Sequence, residues 1–217
     1  MPLELSLPPT LSQSSQLIYF VRHGETAFNT KNIVQGGGVD SDLNEKGHWQ
    51  AQRFFEHYQR VKFDMVFCSG LKRAQQSMQP FVKNGHSLYI NEGFNEMNWG
   101  CIEGLEQDER IRKLFEESVQ QWNAGNFDYK IEGAESPLET WKRLSQALRE
   151  AILLSPKGTL LICTHGRSLR ILLSMLLGYG MERMNWFQHS NTGVNILVRT
   201  GHKFYAERLN DVSHLDV

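Results

Sequence analysis

The chain has 217 residues, of which 40% are hydrophobic and 22% are charged, and its formal net charge is −1. This length and composition are typical of a globular protein with a full hydrophobic core. A charge so close to zero excludes the broad positive field with which proteins hold nucleic acid or anionic membranes, so an anionic ligand must meet a few well-placed cations.

The N-terminal segment differs in composition from the rest of the chain. It carries three prolines and four serines, so we predict a flexible arm over residues 1–15 and a single domain over 16–217. It lacks the basic start and apolar centre of a signal peptide, and no later apolar run is long enough to span a bilayer. Cys68, Cys101 and Cys163 follow no CxxC spacing, which predicts free thiols in a reducing, cytoplasmic setting.

Short runs of aliphatic and aromatic residues alternate with helix-like segments after the arm. Four of these runs are apolar on both faces, which is typical of buried, parallel strands. They are LIYFV (17–21), MVFCS (65–69), SLYIN (87–91) and TLLICT (159–164). Near the C-terminus, NILVRT and KFYAERL flank Gly201-His202 and predict an antiparallel hairpin at one edge of the sheet.

Two helices are indicated between the strands by apolar residues three and four positions apart. The apolar face of the first comprises Ala51, Phe54, Phe55 and Tyr58, and that of the second Leu138, Trp141, Leu144, Leu148 and Ile152. Ser136, Pro137 and Glu139 form a capping-box pattern at the start of the second helix. Alternating strands and helices predict an α/β fold, a three-layer α/β/α sandwich with a mostly parallel central sheet and an antiparallel edge strand.

Two histidines occupy equivalent places beyond the carboxyl ends of predicted strands, where such sheets bind ligands. His23 and His165 each follow a buried strand and precede a glycine, which lets backbone come close to a ligand. N–H groups at a helix start favour an anion, and Arg22 beside His23 offers a planar donor fork suited to phosphate. A lone histidine in this position is more often structural, but two in one context favour a phosphate-handling site.

Five sequence blocks follow one another along the chain. They are FVRHGETAFN (20–29), VQGGGVDSDLNEKGHWQA, FDMVFCSGLKRAQQSMQ, FNEMNWGCIEG and LLICTHGRSLRILL. In this order they resemble the blocks of the histidine phosphatase superfamily, also called the phosphoglycerate-mutase-like family. The first resembles its RHG[ES]-x-x-x-N fingerprint, and the third resembles S-x-L-x-R-A-x-x-T with Ser77 where threonine is commoner. The resemblance covers roughly residues 17–200.

The resemblance implies a role for each matching residue. His23 would attack phosphorus and become a transient phosphohistidine, and Glu96 would give a proton to the leaving oxygen and then help to activate water. The catalytic residues would be His23, Glu96 and His165, and the phosphate would be held by Arg22, Asn29, Arg73 and Gly166. No metal and no cofactor are implied.

General chemistry supports this set of roles. Phosphoryl transfer spreads negative charge over three equatorial oxygens, which calls for preorganised cations and N–H donors. A neutral imidazole is a competent nucleophile near pH 7, and two displacements are each easier than one. An alkoxide leaves poorly, so a carboxylic acid such as Glu96 contributes on the order of 10²–10⁴-fold. The residues alone do not separate Glu96 from its neighbours Glu92, Glu103 and Glu106; only the resemblance does.

Other conspicuous side chains receive structural interpretations. Glu25 is expected to shape its loop, and His189 to be a hydrogen-bonded structural histidine, with a place beside the site as the alternative. The remaining histidines are predicted at the surface: His48, His57, His86, His202 and His214. Five residues either line a partly apolar entrance or belong to the core, namely Trp99, Cys101, Trp122, Phe127 and Tyr129.

Three functions remain open at this point. Bisphosphoglycerate-dependent mutases usually carry a long, basic, proline-containing insertion between the acid and the second histidine, and the interval from Glu96 to His165 lacks one. The EGAES stretch near Gly133 resembles the GGES of phosphatase members. We therefore expect a phosphatase acting on a small phosphorylated metabolite or another phosphomonoester, with such a mutase as the alternative. A catalytically silent binding domain is disfavoured, because the nucleophile and the phosphate-binding arginines are present. The oligomeric state is not predicted.

Overall fold

The computed structural model describes residues 15–216. The predicted arm over residues 1–15 therefore lies outside the described residues, except for Ser15, which is the first residue of strand β1. The division of the chain into an arm and one domain stays a prediction.

One sheet of six strands forms the centre of the described part of the chain. Its strands are β1 (Ser15–Arg22), β2 (Met65–Cys68), β3 (Leu88–Ile90), β4 (Leu160–Thr164), β5 (Val194–Thr200) and β6 (Lys203–Asp211). Their order is β3-β2-β4-β1-β5-β6, and the first four are parallel. Strand β5 pairs antiparallel with both β1 and β6, so the predicted mostly parallel sheet with an antiparallel edge is confirmed.

Helices cover both faces of this sheet. They are α1 (Ala27–Thr30), α2 (Glu45–Tyr58), α3 (Lys72–Lys83), α4 (Glu109–Asn123), α5 (Pro137–Leu154) and α6 (Gly166–Leu176). Successive strand residues point to opposite faces. Ile18 and Phe20 of β1 accordingly pack in a core cluster with residues of α5 and α6, whereas Tyr19 and Val21 pack with residues of α2 and α3. The predicted three layers are present.

The start of α5 follows the predicted capping box. The Ser136 hydroxyl accepts a hydrogen bond from the Glu139 N–H at 3.2 Å, and the Glu139 carboxylate accepts one from the Ser136 N–H at 2.8 Å. The predicted apolar face is wrong at Leu138, which is 45% exposed. Thr140 and Leu144, which lie four residues apart on one side of the helix, are buried, so the face that meets the core is rotated away from Leu138.

Strand β3 is not the buried strand that its apolar run predicted. It lies at the edge of the sheet, and Tyr89 and Ile90 are 44% and 56% exposed. An edge strand has a neighbour on one side only, so part of its surface stays uncovered despite its composition.

His214 is also misplaced by the sequence interpretation, because it is 2% exposed rather than at the surface. Its imidazole Nε2 lies 3.0 Å from the Thr192 hydroxyl, and its ring packs edge-on against Phe54 of α2. The chain after β6 folds back onto α2, and this tertiary contact buries a polar, near-terminal residue. Of the other histidines predicted at the surface, His48, His57 and His202 are exposed and His86 is half-buried.

All three cysteines are free, as predicted, with Cys68 and Cys163 buried in the core and Cys101 exposed. Burial raises the pKa of the Cys68 thiol to about 12. Within residues 15–216, no helix has both the length and the apolar content needed to cross a membrane.

Candidate active site

The two histidines that follow β1 and β4 lie side by side. Because β1 and β4 are neighbouring parallel strands with Arg22 opposite Thr164, the residues after them emerge at the same edge of the sheet. The His23 N–H donates to the Thr164 carbonyl at 3.1 Å. The ring centroids of His23 and His165 are 5.1 Å apart, and both residues are buried.

The hydrogen bonding of His23 fixes its tautomer. Its Nδ1 lies 2.7 Å from the Gly24 carbonyl oxygen, which can only accept a hydrogen bond, so Nδ1 carries the proton and Nε2 the lone pair. Burial, reinforced by the positive charges of Arg73 and Arg22, holds the pKa of His23 well below 6.5. At neutral pH the ring is therefore uncharged, with an unshared nitrogen lone pair.

His165 is held in the opposite tautomer. The Arg73 Nε–H donates to His165 Nδ1 at 3.1 Å, so Nδ1 is the acceptor and the proton is on Nε2, which lies 2.7 Å from the Ser69 hydroxyl. Burial and the charge of Arg73 hold the pKa of His165 well below 6.5. Both nitrogens of His165 are therefore engaged in hydrogen bonds, whereas Nε2 of His23 keeps an unshared lone pair.

Arg73, from the first turn of α3, is fully buried and anchored on three sides. Besides its bond to His165, it donates from Nη1 to the Val39 carbonyl at 2.6 Å and from Nη2 to the Gly36 carbonyl at 3.1 Å. A guanidinium carries five N–H groups, so two remain for an anion. Burial lowers the pKa of Arg73 to about 10, which leaves it charged at neutral pH.

Arg22, at the end of β1, is linked to His189. Its Nη1 donates to the His189 carbonyl at 2.7 Å and lies 3.2 Å from the ring Nδ1. Burial, followed by the charge of Arg22, lowers the pKa of His189 to about 3, so the ring is neutral. A Cβ at Gly166 would lie 3.2 Å from His189 Nδ1, so glycine there leaves room for this ring. His189 is thus both a structural histidine and a neighbour of the site.

Asn29 owes its orientation to the short helix α1. Its side-chain oxygen accepts a hydrogen bond from the Thr26 N–H at 3.1 Å and another from the Asn191 amide at 3.2 Å. Because both lone pairs are engaged, the Asn29 NH₂ group is the part left to donate. The Asn191 amide also donates to the His23 carbonyl at 3.0 Å, a contact that no sequence signal indicated.

Glu96 is buried against the start of α6. Its Oε2 accepts from the Arg167 N–H at 3.0 Å, and its Oε1 accepts from the Ser168 N–H at 2.9 Å and from the Ser168 hydroxyl at 3.0 Å. These hydrogen bonds hold the Glu96 carboxyl against the backbone of Arg167 and Ser168, the second and third residues after His165. Glu92 and Glu106 are exposed and Glu103 is half-buried, whereas Glu96 is buried, so burial distinguishes Glu96 from the three acids that the residue pattern left equivalent.

The three consecutive glycines at 36–38, called the glycine run, contact both Arg73 and the segment that carries Glu96. The Gly37 N–H donates to the Met97 carbonyl at 3.2 Å. A Cβ on Gly37 would lie 2.8 Å from the Glu96 carbonyl oxygen, which is closer than real Cβ atoms come. Glycine is therefore required here for close approach of two backbones.

Two further residues shape the loop around His23. Ser77 accepts a hydrogen bond from the Gly24 N–H at 2.9 Å and donates to the Arg73 carbonyl at 2.6 Å. Serine thus supplies a hydroxyl where the family more often has threonine. Glu25 accepts from the Asn44 amide and from Lys46 Nζ, both at 3.0 Å, which fits the expected loop-shaping role.

The aromatic residues considered for an entrance belong mainly to the core. Trp99 and Trp122 are buried in the larger core cluster, and Phe127 and Tyr129 pack against it. Cys101 is exposed. No group of three or more histidine, cysteine, aspartate or glutamate side chains within residues 15–216 is arranged to hold a metal ion.

Comparison with known proteins gives the family. The family model described as "Histidine phosphatase superfamily (branch 1)" matches residues 18–212. The chain belongs to the histidine phosphatase superfamily. Two mutase-named members are similar to it in sequence. A 2,3-bisphosphoglycerate-dependent phosphoglycerate mutase of Mesorhizobium japonicum is 32% identical, covering 78% of this chain and 85% of that protein. One from Brucella melitensis is 31% identical, covering 85% and 92%.

Solved structures of similar fold include proteins named as phosphatases. YhfR of Bacillus stearothermophilus is 26% identical with a TM-score of 0.82, covering 93% of this chain and all of that one. A putative alpha-ribazole-5'-P phosphatase of Escherichia coli is 22% identical with a TM-score of 0.78, covering 91% and 97%. A phosphoserine phosphatase of Entamoeba histolytica is 22% identical with a TM-score of 0.79, covering 93% and 100%. The last two similarities show the histidine phosphatase fold alone.

Proposed function

We propose that the chain is a phosphatase that hydrolyses a phosphomonoester in two steps through a phosphohistidine on His23. The observation that carries this proposal is the opposite tautomers of the paired histidines, which leave the lone pair on His23 Nε2 unshared. In the first step Nε2 bonds to phosphorus as the bond from phosphorus to the ester oxygen breaks, and Glu96 gives that oxygen a proton. In the second, water attacks phosphorus, the nitrogen–phosphorus bond breaks, and Glu96 takes a proton from the water.

The surrounding groups support the charge that develops on phosphorus. Arg73 has two N–H groups to spare, Arg22 lies beside His23 in sequence, and the Asn29 NH₂ is left as a donor. Donors fixed before the reaction stabilise the transition state without reorganising, and losing one commonly costs roughly 10²–10³-fold in rate. In this proposal His165 completes the set from its place between Arg73 and Ser69. The free thiols favour the predicted reducing, cytoplasmic setting.

A phosphoglycerate mutase is the second candidate, and the mutase-named relatives favour it. Those relatives align over 85% and 92% of their own length with most of this chain, so they have no large additional segment. The absence of a long insertion from this chain therefore distinguishes a phosphatase from a mutase less sharply than the sequence analysis indicated. In a mutase the phosphohistidine would return its phosphoryl group to a substrate hydroxyl instead of to water.

The purified full-length chain is the material for testing the proposed function. It is incubated first with p-nitrophenyl phosphate, and then with 2- or 3-phosphoglycerate plus trace bisphosphoglycerate. We expect inorganic phosphate to be released in both assays. Fast isomerisation with negligible phosphate release would show a mutase instead. Turnover of none of these substrates would favour a catalytically silent binding domain.

Replacing Glu96 tests the assigned proton donor through the leaving group. For Glu96→Gln we expect kcat/KM toward an alkyl phosphate to fall on the order of 10²–10⁴-fold, because the alkoxide must then leave without a proton. The loss should be much smaller for p-nitrophenyl phosphate, whose leaving group is stable as an anion. Glutamine keeps an oxygen that can accept from the start of α6. The exposed Glu106→Gln is the matched control, and equal losses on both substrates would contradict the role.

A further inference from the structure

Three guanidinium groups and one amide gather beside the proposed phosphate site. Arg167 and Arg170, on α6, donate from Nη1 to the Asn185 side-chain oxygen at 2.6 and 3.0 Å. Arg22 donates to His189, whose pKa is lowered by burial and, to a smaller extent, by the charges of Arg22, Arg170 and Arg167. Within residues 15–216, none of these three arginines forms a salt bridge.

The cluster of Arg22, Arg167, Arg170 and Asn185 has more hydrogen-bond donors than acceptors. The Nε atoms of Arg22, Arg167 and Arg170 are buried without a hydrogen-bond partner, and so is the Asn185 amide nitrogen. Each buried donor left unpaired is costly, because it has lost water and gained nothing. The nearby carboxylate, Glu96, already accepts from the start of α6. Several such donors in one place form a site that favours an anion.

Arg167 is held in place by packing rather than by an ion pair. Its guanidinium carbon lies 5.5 Å from the Trp99 ring centroid and 5.3 Å from that of Trp122, and both indoles are buried. Such cation–π contacts fix the faces of a guanidinium and leave its edge for hydrogen bonding. Burial lowers the pKa of Arg167 to about 10, so it stays charged at neutral pH.

One member of this cluster, Arg167, borders a cleft on the side of α4. A cleft of about 360 Å³ is lined by Arg167 together with Phe115, Glu116, Val119 and Gln120. A ligand in this cleft would therefore contact Arg167.

We propose that Arg167 and Arg170 form a second anion subsite, which binds a carboxylate or a second phosphate on the part of the substrate away from the transferred phosphoryl group. This inference rests on the proposed function, since that function places the transferred group at His23. It narrows the substrate class to phosphomonoesters that carry another negative group on the same molecule.

Matched substrate pairs test the subsite on the unaltered chain. The carboxylate pair is 3-phosphoglycerate and glycerol 3-phosphate, and the phosphate pair is propane-1,3-diyl bisphosphate and 3-hydroxypropyl phosphate. We expect kcat/KM to be about 10- to 100-fold higher for the doubly anionic member of at least one pair, as a charge-assisted contact provides. The pair that shows the preference identifies the anion. Equal kcat/KM within both pairs would overturn the subsite and leave the phosphatase proposal standing.

Variants connect this preference to the two arginines. Arg167→Gln and Arg170→Gln should each reduce the preference about tenfold, and the exposed Arg112→Gln on α4, with the same change of charge, should keep it. A preference unchanged in both α6 variants would overturn the assignment. If a glutamine variant does not fold, Arg167→Lys, which keeps the charge and loses the planar stacking, replaces it.

A binding measurement separates the two proposals. In the His23→Ala protein, calorimetry should show tighter binding of the doubly anionic member of the preferred pair, with or without any catalytic activity. If the unaltered chain turns over no phosphomonoester, the proposed function fails, and this titration alone decides the subsite. Equal affinities within both pairs would then exclude it.

Discussion

His23→Ala is expected to abolish phosphate release, with kcat falling by roughly 10⁴-fold or more, as for other enzymes that lose their nucleophile. His165 cannot take over, because Arg73 occupies its Nδ1 and Ser69 lies on its Nε2. The measurement is release of phosphate from p-nitrophenyl phosphate. Rapid quenching in alkali with labelled substrate should also show a covalent phosphoenzyme in the unaltered chain and none in the variant.

The control for this experiment is His202→Ala, since His202 is exposed in the turn between β5 and β6. It should keep both the turnover and the covalent label. Circular dichroism of both variants should match the unaltered chain, because the change at position 23 leaves the backbone hydrogen bond to the Thr164 carbonyl in place. Turnover retained by His23→Ala, or a label that persists in it, would refute His23 as the nucleophile.

The free energy of unfolding is expected to fall steeply as the pH drops from 7 toward 5. Burial lowers the pKa values of four histidines below 6.5, namely His23, His165, His189 and His214. Below pH 6.5 the unfolded chain binds a proton at each of them and the folded chain does not, so acid favours unfolding. Each contributes about 1.4 kcal/mol per pH unit. The sum is several kcal/mol, against a total stability of about 5–15 kcal/mol.

Urea titrations at pH 7, 6 and 5 measure this dependence. The pKa of His214 is lowered to about 4 and its ring lies outside the site, so His214→Gln should remove about a quarter of the pH dependence without changing catalysis. His48→Gln, at an exposed position, should leave the dependence unchanged. A free energy of unfolding that stays constant from pH 7 to 5 would contradict the prediction, because it would show that these histidines take up protons as readily in the folded chain as in the unfolded one.

The positions of the strands and the N-terminal cap of α5 could be predicted, because they depend on residues that are close together in the sequence. Ser136, Pro137 and Glu139 act within one helical turn, so their spacing determines their contacts. The errors concern tertiary surroundings. The β3 run is as apolar as a central strand, and its composition does not reveal that β2 is its neighbour on one side only. His214 is buried by α2, more than 150 residues earlier in the chain.

In the candidate site, too, some features follow from local sequence signals and others depend on tertiary contacts. Parallel pairing of β1 with β4 brings His23 and His165 together, and the strand-end rule anticipated that proximity. The hydrogen bonds that make their tautomers opposite come from Gly24 and Arg73, and no sequence pattern specifies them. The pairing of Arg170 with Asn185 likewise depends on how the chain after α6 returns to it, which spacing alone does not determine.

The distance between the Arg73 guanidinium and the segment that carries Glu96 is set by backbone groups, with no other side chain between them. Arg73 donates to the Gly36 carbonyl, and the Gly37 N–H of the same peptide unit donates to the Met97 carbonyl beside Glu96. Peptide dimensions are invariant, whereas side chains hop between rotamers. The glycine run therefore acts as a spacer with almost no tolerance: one added methyl group at Gly37 would push the carboxyl and the guanidinium apart, although neither residue had changed.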